Sequence, residues 1–509
     1  MTNSIVSYSR ENGGRVLLLF LLFLLALYQL LTSGLTTFAI ICLLPLVIPF
    51  IYFAFSWPNI IFWVLIFVNY FVQFFGKQGL LPHAIPTSLY NELLELLLIA
   101  VAIVDVRKDT HFNRLGNLMF LCVSLWCTFC TLELLNNTCD LGISVAGWYT
   151  GARMMAFQIL YAVIIFTVHI ENSKKLTSFF RFWAALSIFS VLWTLKQQYV
   201  GLTEAENIWM ETRGRTTHIL NGGTLIRYWS TFNDAAQYGI HAACVAIIFF
   251  TMSITTKIKI DRYFFLLTGI VVTWQMFASG TRTATFCLIA GFGTFLILSR
   301  SFRVMVPSAI IGGILISLLM FTDLGQGNQQ IRRMRSAFDK HDASASVRDI
   351  NQAAMKKYMA DAPWGIGLSV RNDNVPANNK FKKLSVIPPD SEYVFIWVHT
   401  GIIGITVFLI LTVIMFLGAC WVVLTKLKNR SLIGIGGGLC SAFVSIQLGG
   451  YANQVLMQFP NCVMFYGGLA IVYALPYIEP EWTEIENKRY LAQVERKRLK
   501  LEKKLAKRV

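Results

Sequence analysis

The chain has 509 residues, of which 55% are hydrophobic and only 14% are charged. This composition excludes an ordinary soluble protein and indicates an integral membrane protein. The formal net charge of +17 is uneven, because a large share lies in the tail 487–509. We expect this tail to be a cytoplasmic helix along anionic head groups rather than a nucleic-acid-binding segment.

Apolar stretches of about 20 residues recur along the chain, which is the length that a helix needs to cross a membrane. Because backbone groups in lipid must be paired internally, we expect an all-α, polytopic fold with about 14 (12–14) transmembrane helices. The first stretch lacks a small-residue cleavage site and is expected to be retained. The predicted spans are 16–32, 35–56, 58–76, 88–106, 115–135, 154–170, 179–200, 235–255, 263–279, 283–299, 303–321, 391–421, 431–450 and 460–478. The stretch 391–421 is longer than one span requires and could break near Gly401 or Gly404.

Basic residues set the expected orientation. With the N-terminus inside, every short basic cluster falls on the cytoplasmic side, as the positive-inside rule requires. These clusters are Arg107/Lys108/Arg114, Lys174/Lys175/Arg181, Lys257/Lys259/Arg262, Arg300/Arg303 and Lys426/Lys428/Arg430, followed by the tail. The chain then divides into an N-terminal transmembrane bundle (1–321, with a short outer loop at 201–233), a long outer loop (322–390, partly helical near 343–360), C-terminal transmembrane helices (391–478) and a basic cytoplasmic tail (479–509).

Arginines gather on the predicted outer side, and the planar guanidinium group of arginine suits bidentate contact with phosphate oxygens. The sharpest case is Arg282 in "ASGTRTATF", which lies in a very short turn between two spans. An ionisable residue there indicates a functional site, although a side chain reaching lipid head groups is the alternative. The outer set comprises Arg153, Arg213, Arg215, Arg227, Arg282, Arg332, Arg333, Arg335, Arg348 and Arg371, of which 332, 333 and 335 fit a solvated loop face better.

The loop exit "PPDSEYVFIWVHTGIIG" at 388–404 carries the candidate acid–base groups. Asp390 lies at the N-terminal end of a predicted helix, where a carboxylate can serve equally well as a helix cap or as a catalytic base. His399 lies nine residues further along, so the two need not share a helix face. A histidine in a span is more often a packing partner that donates a hydrogen bond.

No P-loop, dinucleotide fingerprint or metal-spaced cluster occurs in the sequence, and we expect no metal and no cofactor. The ten cysteines lie mostly in apolar runs and are expected to be packing residues. An activated substrate would therefore bring its own leaving group.

Four pieces in order resemble the O-antigen ligase and O-antigen polymerase superfamily of bacterial inner-membrane glycosyltransferases. They are "RYWSTFNDAAQYG" at 227–239, "SGTRTAT" at 279–285, "RDINQAAMKKYMADAPWGIG" at 348–367, and a polar pair opening a helix that reaches Gly401-x-x-Gly404. The family pattern at the loop exit is His-Asn, an aromatic, and then Glu-x-Gly-x-x-Gly. Here Asp390-Ser391 occupy the His-Asn positions and His399 occupies that of the Glu, a departure that favours the polymerase branch over the ligase branch.

The resemblance implies a multi-pass protein of the bacterial inner membrane with both termini cytoplasmic and the long loop periplasmic. It implies a metal-independent transfer of glycan from an undecaprenyl-diphosphate carrier. Arg227, Arg282 and Arg348 would bind the diphosphate, and Asp390, with His399 second, would be the catalytic base beside Arg282 and Arg348. The partners implied are the lipid-linked glycan substrates and membrane lipids, with a chain-length regulator and a flippase as further candidates and no nucleic acid.

Three other readings stay open at the level of sequence. A ligase would pass finished glycan to lipid A core or another acceptor. A flippase for lipid-linked oligosaccharide would also suit about 14 spans, but it should carry charges along a central path through the helices. A structural or sensory protein would not need the outer arginines.

Overall fold

The computed structural model describes residues 13–33, 49–81, 86–104, 111–220, 225–300 and 343–506, with isolated positions between 306 and 332. Its helices are α1 (Gly13–Ser33), α2 (Pro58–Lys77), α3 (Thr87–Val104), α4 (Leu118–Leu132), α5 (Val145–His169, with a π-helical turn Arg153–Phe157), α6 (Ser173–Leu195, extended by a π-turn Lys196–Val200), α7 (Glu204–Trp209), α8 (Arg215–His218), α9 (Ala235–Thr255), α10 (Lys259–Ala278), α11 (Arg282–Leu298), α12 (Ala343–Met359), α13 (Lys382–Val386), α14 (Glu392–Trp421), α15 (Arg430–Ala452) and α16 (Asn461–Ala506). Two-residue strands β1 (Ile219–Leu220) and β2 (Leu225–Ile226) pair antiparallel between α8 and α9.

The all-α, polytopic fold is confirmed. In the described part of the chain, nine helices are long and apolar enough to cross a membrane. The total of about 14 spans stays a prediction, since the predicted spans 35–56 and 303–321 lie largely outside the described residues, as do Arg333 and Arg335.

Helix α9 forms the centre of the bundle, and α10, α11 and α15 pack around it. Its side chains are buried along almost the whole helix. Close approach depends on small residues, as is usual between helices in lipid. At Gly434 of α15, an added Cβ would lie 1.8 Å from Thr255 Oγ1, so only glycine fits.

Members of three basic clusters, Arg181, Lys257 and Arg489 of the tail, meet at one end of the bundle, which we call the basic face. Arg107, Lys108 and Arg303 lie outside the described residues. Asp261 accepts from both Arg181 (3.0 Å) and Arg489 (3.1 Å), and Lys257 pairs with Glu486 at 3.7 Å. Helix α16 continues without interruption from its apolar half into the charged tail and supplies two of these residues. The predicted tail helix is therefore an extension of the last span.

The opposite end, which we call the loop face, carries residues 201–234, α12, α13 and the chain between them. Helix α14 starts there and breaks at Gly401, whose φ of 69° and ψ of −171° are not helical. The predicted break is thus confirmed, and it separates a half-helix (392–400) from a full span. The turn 363–367 occupies the break and makes backbone hydrogen bonds from Ile366 to Val398 (2.9 Å) and from Gly367 to His399 (3.0 Å).

Candidate functional site on the loop face

Arg227 is held by the small folded unit 201–234 between α6 and α9. Trp229 and Phe232 of this unit are fully buried and anchor it to the bundle. The Arg227 guanidinium donates to Ser279 O (3.3 Å), Thr217 O (3.0 Å) and Thr281 Oγ1 (3.0 Å). These acceptors fix the guanidinium beside the turn that joins α10 to α11.

Arg282 is the first residue of α11, directly after that turn. Burial lowers the pKa of Arg227, the Asp234 carboxylate opposes this, and the Arg282 charge lowers it further. Thr281, the residue before Arg282, accepts from Arg227, so the two arginines lie in one region, and their like charges favour an anion beside them.

Asp390 follows two prolines and has a φ of 45°, in the left-handed region. The N-cap of α14 is the next residue, Ser391, whose hydroxyl donates to Gly450 O at 3.2 Å. Asp390 therefore does not occupy the cap position. Its Oδ2 instead accepts from Asn351 Nδ2 of α12 at 3.0 Å.

Arg348 lies on α12, one turn before Asn351, so the two side chains share a helix face. Met355 and Met359 continue that face and are buried against the rest of the loop. Arg348 is half-buried. The face that carries its guanidinium is thus the one that touches Asp390.

The C-terminal end of α15 joins the two halves of this site. Asn453 Nδ2 donates to Thr283 Oγ1, one residue after Arg282, at 3.4 Å. Ser391, one residue after Asp390, bonds to Gly450 in the same α15 end. The structure therefore brings Arg227, Arg282 and Asp390 to one region of the loop face, with the Arg348 helix beside Asp390.

Residues 264–409 match the family model Wzy_C, O-antigen ligase. This part of the chain is similar to the O-antigen ligase family. The match runs from α10 into α14 and includes Arg282, Arg348 and Asp390, while Arg227 precedes it. It confirms the resemblance to the O-antigen ligase and polymerase superfamily. None of the curated proteins compared with this chain matches it.

His399 lies inside the matched segment but apart from Asp390. From Glu392, the first residue of α14, to His399 the helix rises about 10 Å. The His399 ring packs on Phe395 at 4.5 Å between centroids, and Nδ1 lies 3.0 Å from Gly367 O. His399 is therefore a packing residue, as the sequence favoured, and it lies in the joint between 363–367 and α14.

Two polar features of the site's surroundings were missed by the sequence argument. Residues 453–460 are a buried non-helical segment, and Glu392 accepts from Leu456 N at 2.9 Å and from Met457 N at 3.4 Å. On the other side of the bundle, Arg153 of α5 pairs with Glu92 of α3 at 3.1 Å, both almost fully buried. The "NELLELLL" pattern at 91–98, with two glutamates one turn apart in a span, was the available signal.

The other outer arginines lie outside this cluster. Arg213, Arg215 and Arg371 are exposed, as is Arg332. Exposed charges of this kind fit the solvated-face interpretation that was favoured for Arg332.

Proposed function

We propose that this protein is a glycosyltransferase that polymerises oligosaccharide repeat units carried on undecaprenyl diphosphate, at the periplasmic face of a bacterial inner membrane. The observation that carries the proposal is the assembly of Arg227 and Arg282 on the loop face, joined through the end of α15 to Asp390. The O-antigen ligase family match over 264–409 supports the reaction class.

The arginines suit a diphosphate leaving group. As the acceptor oxygen attacks the anomeric carbon, the bond from that carbon to the diphosphate oxygen breaks and the diphosphate gains negative charge. The Arg227 guanidinium, already fixed by Ser279, Thr217 and Thr281, would bind that charge more strongly in the transition state than in the ground state, and Arg282 would add to this. Arg348, on the helix above Asp390, would close over the same group.

Asp390 is the proposed base. The acceptor hydroxyl must lose a proton as the new C–O bond forms, and a positioned carboxylate can take it. Asn351 holds Oδ2, which directs the other carboxylate oxygen as the proton acceptor. His399, about 10 Å along α14 from its first residue, is proposed as a positioning residue of the 363–367 joint rather than as a second base.

The proposed orientation follows from the two faces. The basic face gathers Arg181 and Lys257 of the short loops and Arg489 of the tail, and because the positive-inside rule assigns such residues to the cytoplasm, the loop face would lie on the periplasmic side. Both termini would then be cytoplasmic.

Asp390-Ser391, in place of the family's His-Asn, favours the polymerase over a ligase acting on lipid A core. A flippase would need a charged path through the bundle. The buried pair Glu92–Arg153 begins such a path, but both residues lie only about 12 Å or less along their helices from the loop face. Because the pair lies so close to the loop face, it is better suited to supporting the site there than to forming a transport path.

Replacement of single arginines tests the proposal. Arg282→Ala and Arg348→Ala should each lower polymer formation by about 100-fold or more, because each removes a donor to the developing charge. Arg371→Ala, an exposed arginine of the same loop, is the matched control and should keep normal activity. Membrane levels of all three proteins are compared by immunoblot. Normal long-chain polysaccharide in both site variants would refute the mechanism.

Deletion of the gene separates the alternatives when surface and carrier-linked glycans are resolved on gels. Capped single repeats at the surface indicate a polymerase. Accumulated long polymer on the carrier indicates a ligase, and single units trapped on the cytoplasmic side indicate a flippase.

A further inference from the structure

A cavity lies on the basic face, at the opposite end of the bundle from the proposed active site. Its volume is about 410 Å³, and α6, α9, α10, α15 and the charged extension of α16 all contribute to its wall. Because α16 reaches it only beyond its apolar half, the cavity exists only when the extension is docked on the bundle.

The wall is cationic on balance. Lys174, Arg181 and Arg489 line the cavity together with Asp261 and Glu486. Asp261 takes one nitrogen from each arginine. Each guanidinium has five N–H donors, so the single Asp261 carboxylate satisfies only some of the hydrogen-bond donors of the two arginines.

Two buried polar atoms of the same wall lack a hydrogen-bond partner among the described residues. They are Ser173 Oγ and Trp482 Nε1. Ser173 is only 3% exposed, and a buried polar atom without a partner is costly. Both atoms can donate, so a ligand with acceptor oxygens would satisfy them.

The rest of the lining is apolar and includes Met252, Phe265 and Ile435. A free inorganic anion would leave this surface without a partner. An amphiphile with an anionic, oxygen-rich head and an apolar body matches both parts of the wall.

We propose that this cavity binds the phosphate head group of an anionic lipid of the cytoplasmic leaflet, which ties the α16 extension to the bundle. The arginines and Lys174 would bind the phosphate oxygens, and Ser173 and Trp482 would donate to the remaining acceptors. The inference is independent of the proposed glycosyl transfer.

Binding is measured on the delipidated full chain in detergent by native mass spectrometry. The probes are phosphatidylglycerol, phosphatidylcholine and inorganic phosphate at equal concentrations. Phosphatidylglycerol should bind best, and an Arg181→Ala/Arg489→Ala double variant should weaken it by about tenfold for each arginine removed. Arg498→Ala, on the same helix but exposed and paired with Glu502, is the charge-matched control.

Ser173→Ala and Trp482→Phe keep the test decisive if the double variant does not fold. Each removes an atom that has no protein partner, so the thermal midpoint of the lipid-free protein should stay unchanged while the phosphatidylglycerol affinity falls several-fold. Equal binding of the two lipids, or variant affinities equal to that of Arg498→Ala, would overturn the proposal. Binding of inorganic phosphate alone, with the same sensitivity to the variants, would show that the ligand is a soluble phosphate and would overturn the proposal of a lipid ligand.

Discussion

Substitution of Gly401 by alanine tests the joint that positions the loop over the membrane. A Cβ at this position would lie 1.9 Å from Pro363 O and 2.5 Å from Gly365 N, both backbone atoms that cannot rotate away. The Gly401 φ of 69° with ψ of −171° belongs to a region that is essentially restricted to glycine and costs about 1–3 kcal/mol otherwise. Alanine therefore forces the turn 363–367 out of the break in α14.

The magnitude follows from what that turn loses. Three backbone hydrogen bonds join 363–367 to 398–403, at 2.9, 3.0 and 3.4 Å. At about 0.5–1.5 kcal/mol each, with the conformational cost added, docking of the turn should weaken by about 3–7 kcal/mol. The amides of Ile366 and Gly367 should then exchange with deuterium far faster, and glycan product should fall, while the protein still inserts into membranes.

Gly293→Ala is the matched control. Gly293 lies in α11, where an added Cβ meets nothing within 4 Å, so alanine should be neutral or slightly stabilising. Hydrogen exchange measured by mass spectrometry on both variants gives the comparison. If Gly401→Ala protects peptide 363–368 as well as Gly293→Ala does, the joint does not hold the loop and the reasoning is wrong.

Three further substitutions probe the surroundings of the site. Burial, with the nearby Lys77 and Arg227 charges, lowers the pKa of His218 from 6.5 to about 3, so the unfolded chain takes up this proton first as the pH falls. Stability should decline below pH 6.5 by up to about 1.4 kcal/mol per pH unit, and thermal unfolding of His218→Gln should show a shallower decline. Asn351→Ala should lower turnover about tenfold or more, because the Asp390 carboxylate loses the donor that positions it, whereas Ile350→Ala, an exposed neighbour, should leave turnover unchanged. Glu392→Ala should lower the thermal midpoint, because two buried backbone N–H groups lose their acceptor at about 1–3 kcal/mol each, and Glu392→Gln should restore most of it.

Hydrophobic run length and loop charge predicted most of the fold, because both act locally. The spans from 58 to 76 and from 431 to 450, for example, match α2 and α15 within a few residues. The break at Gly401 was also predictable, since the apolar stretch was too long for one helix and contained glycine. What the pattern could not supply was the partner that occupies the break, because residues 363–367 reach it through tertiary contact alone.

Site prediction was limited by the same lack of tertiary information. Arg282 was predicted as an arginine out of place in a short turn, but not that Arg227, between the β1–β2 hairpin and the buried Trp229, bonds to that turn. Arg153 was predicted as one of the outer arginines, but its partner Glu92 was not, because a sequence does not show which acid in a span lies beside which cation.

The geometry of the loop explains why the sequence motifs at 348–367 and 388–404 act as one structural unit. Helix α12 is attached at two points: Asn351, at its middle, bonds to Asp390, and the turn 363–367, just beyond its end, bonds to Val398 and His399. The half-helix 392–400 begins two residues after Asp390 and ends just after these two acceptors, so both attachments lie along it.

These two attachments hold α12 alongside the half-helix 392–400. The packing of Met355, Met359 and Val398 in one cluster fills the space between them. Arg348 precedes the first attachment by one turn of α12 and therefore lies near Asp390. A change at Gly401 or Gly365 should consequently alter phosphate binding at Arg348 as well as proton transfer at Asp390, although neither glycine touches a substrate.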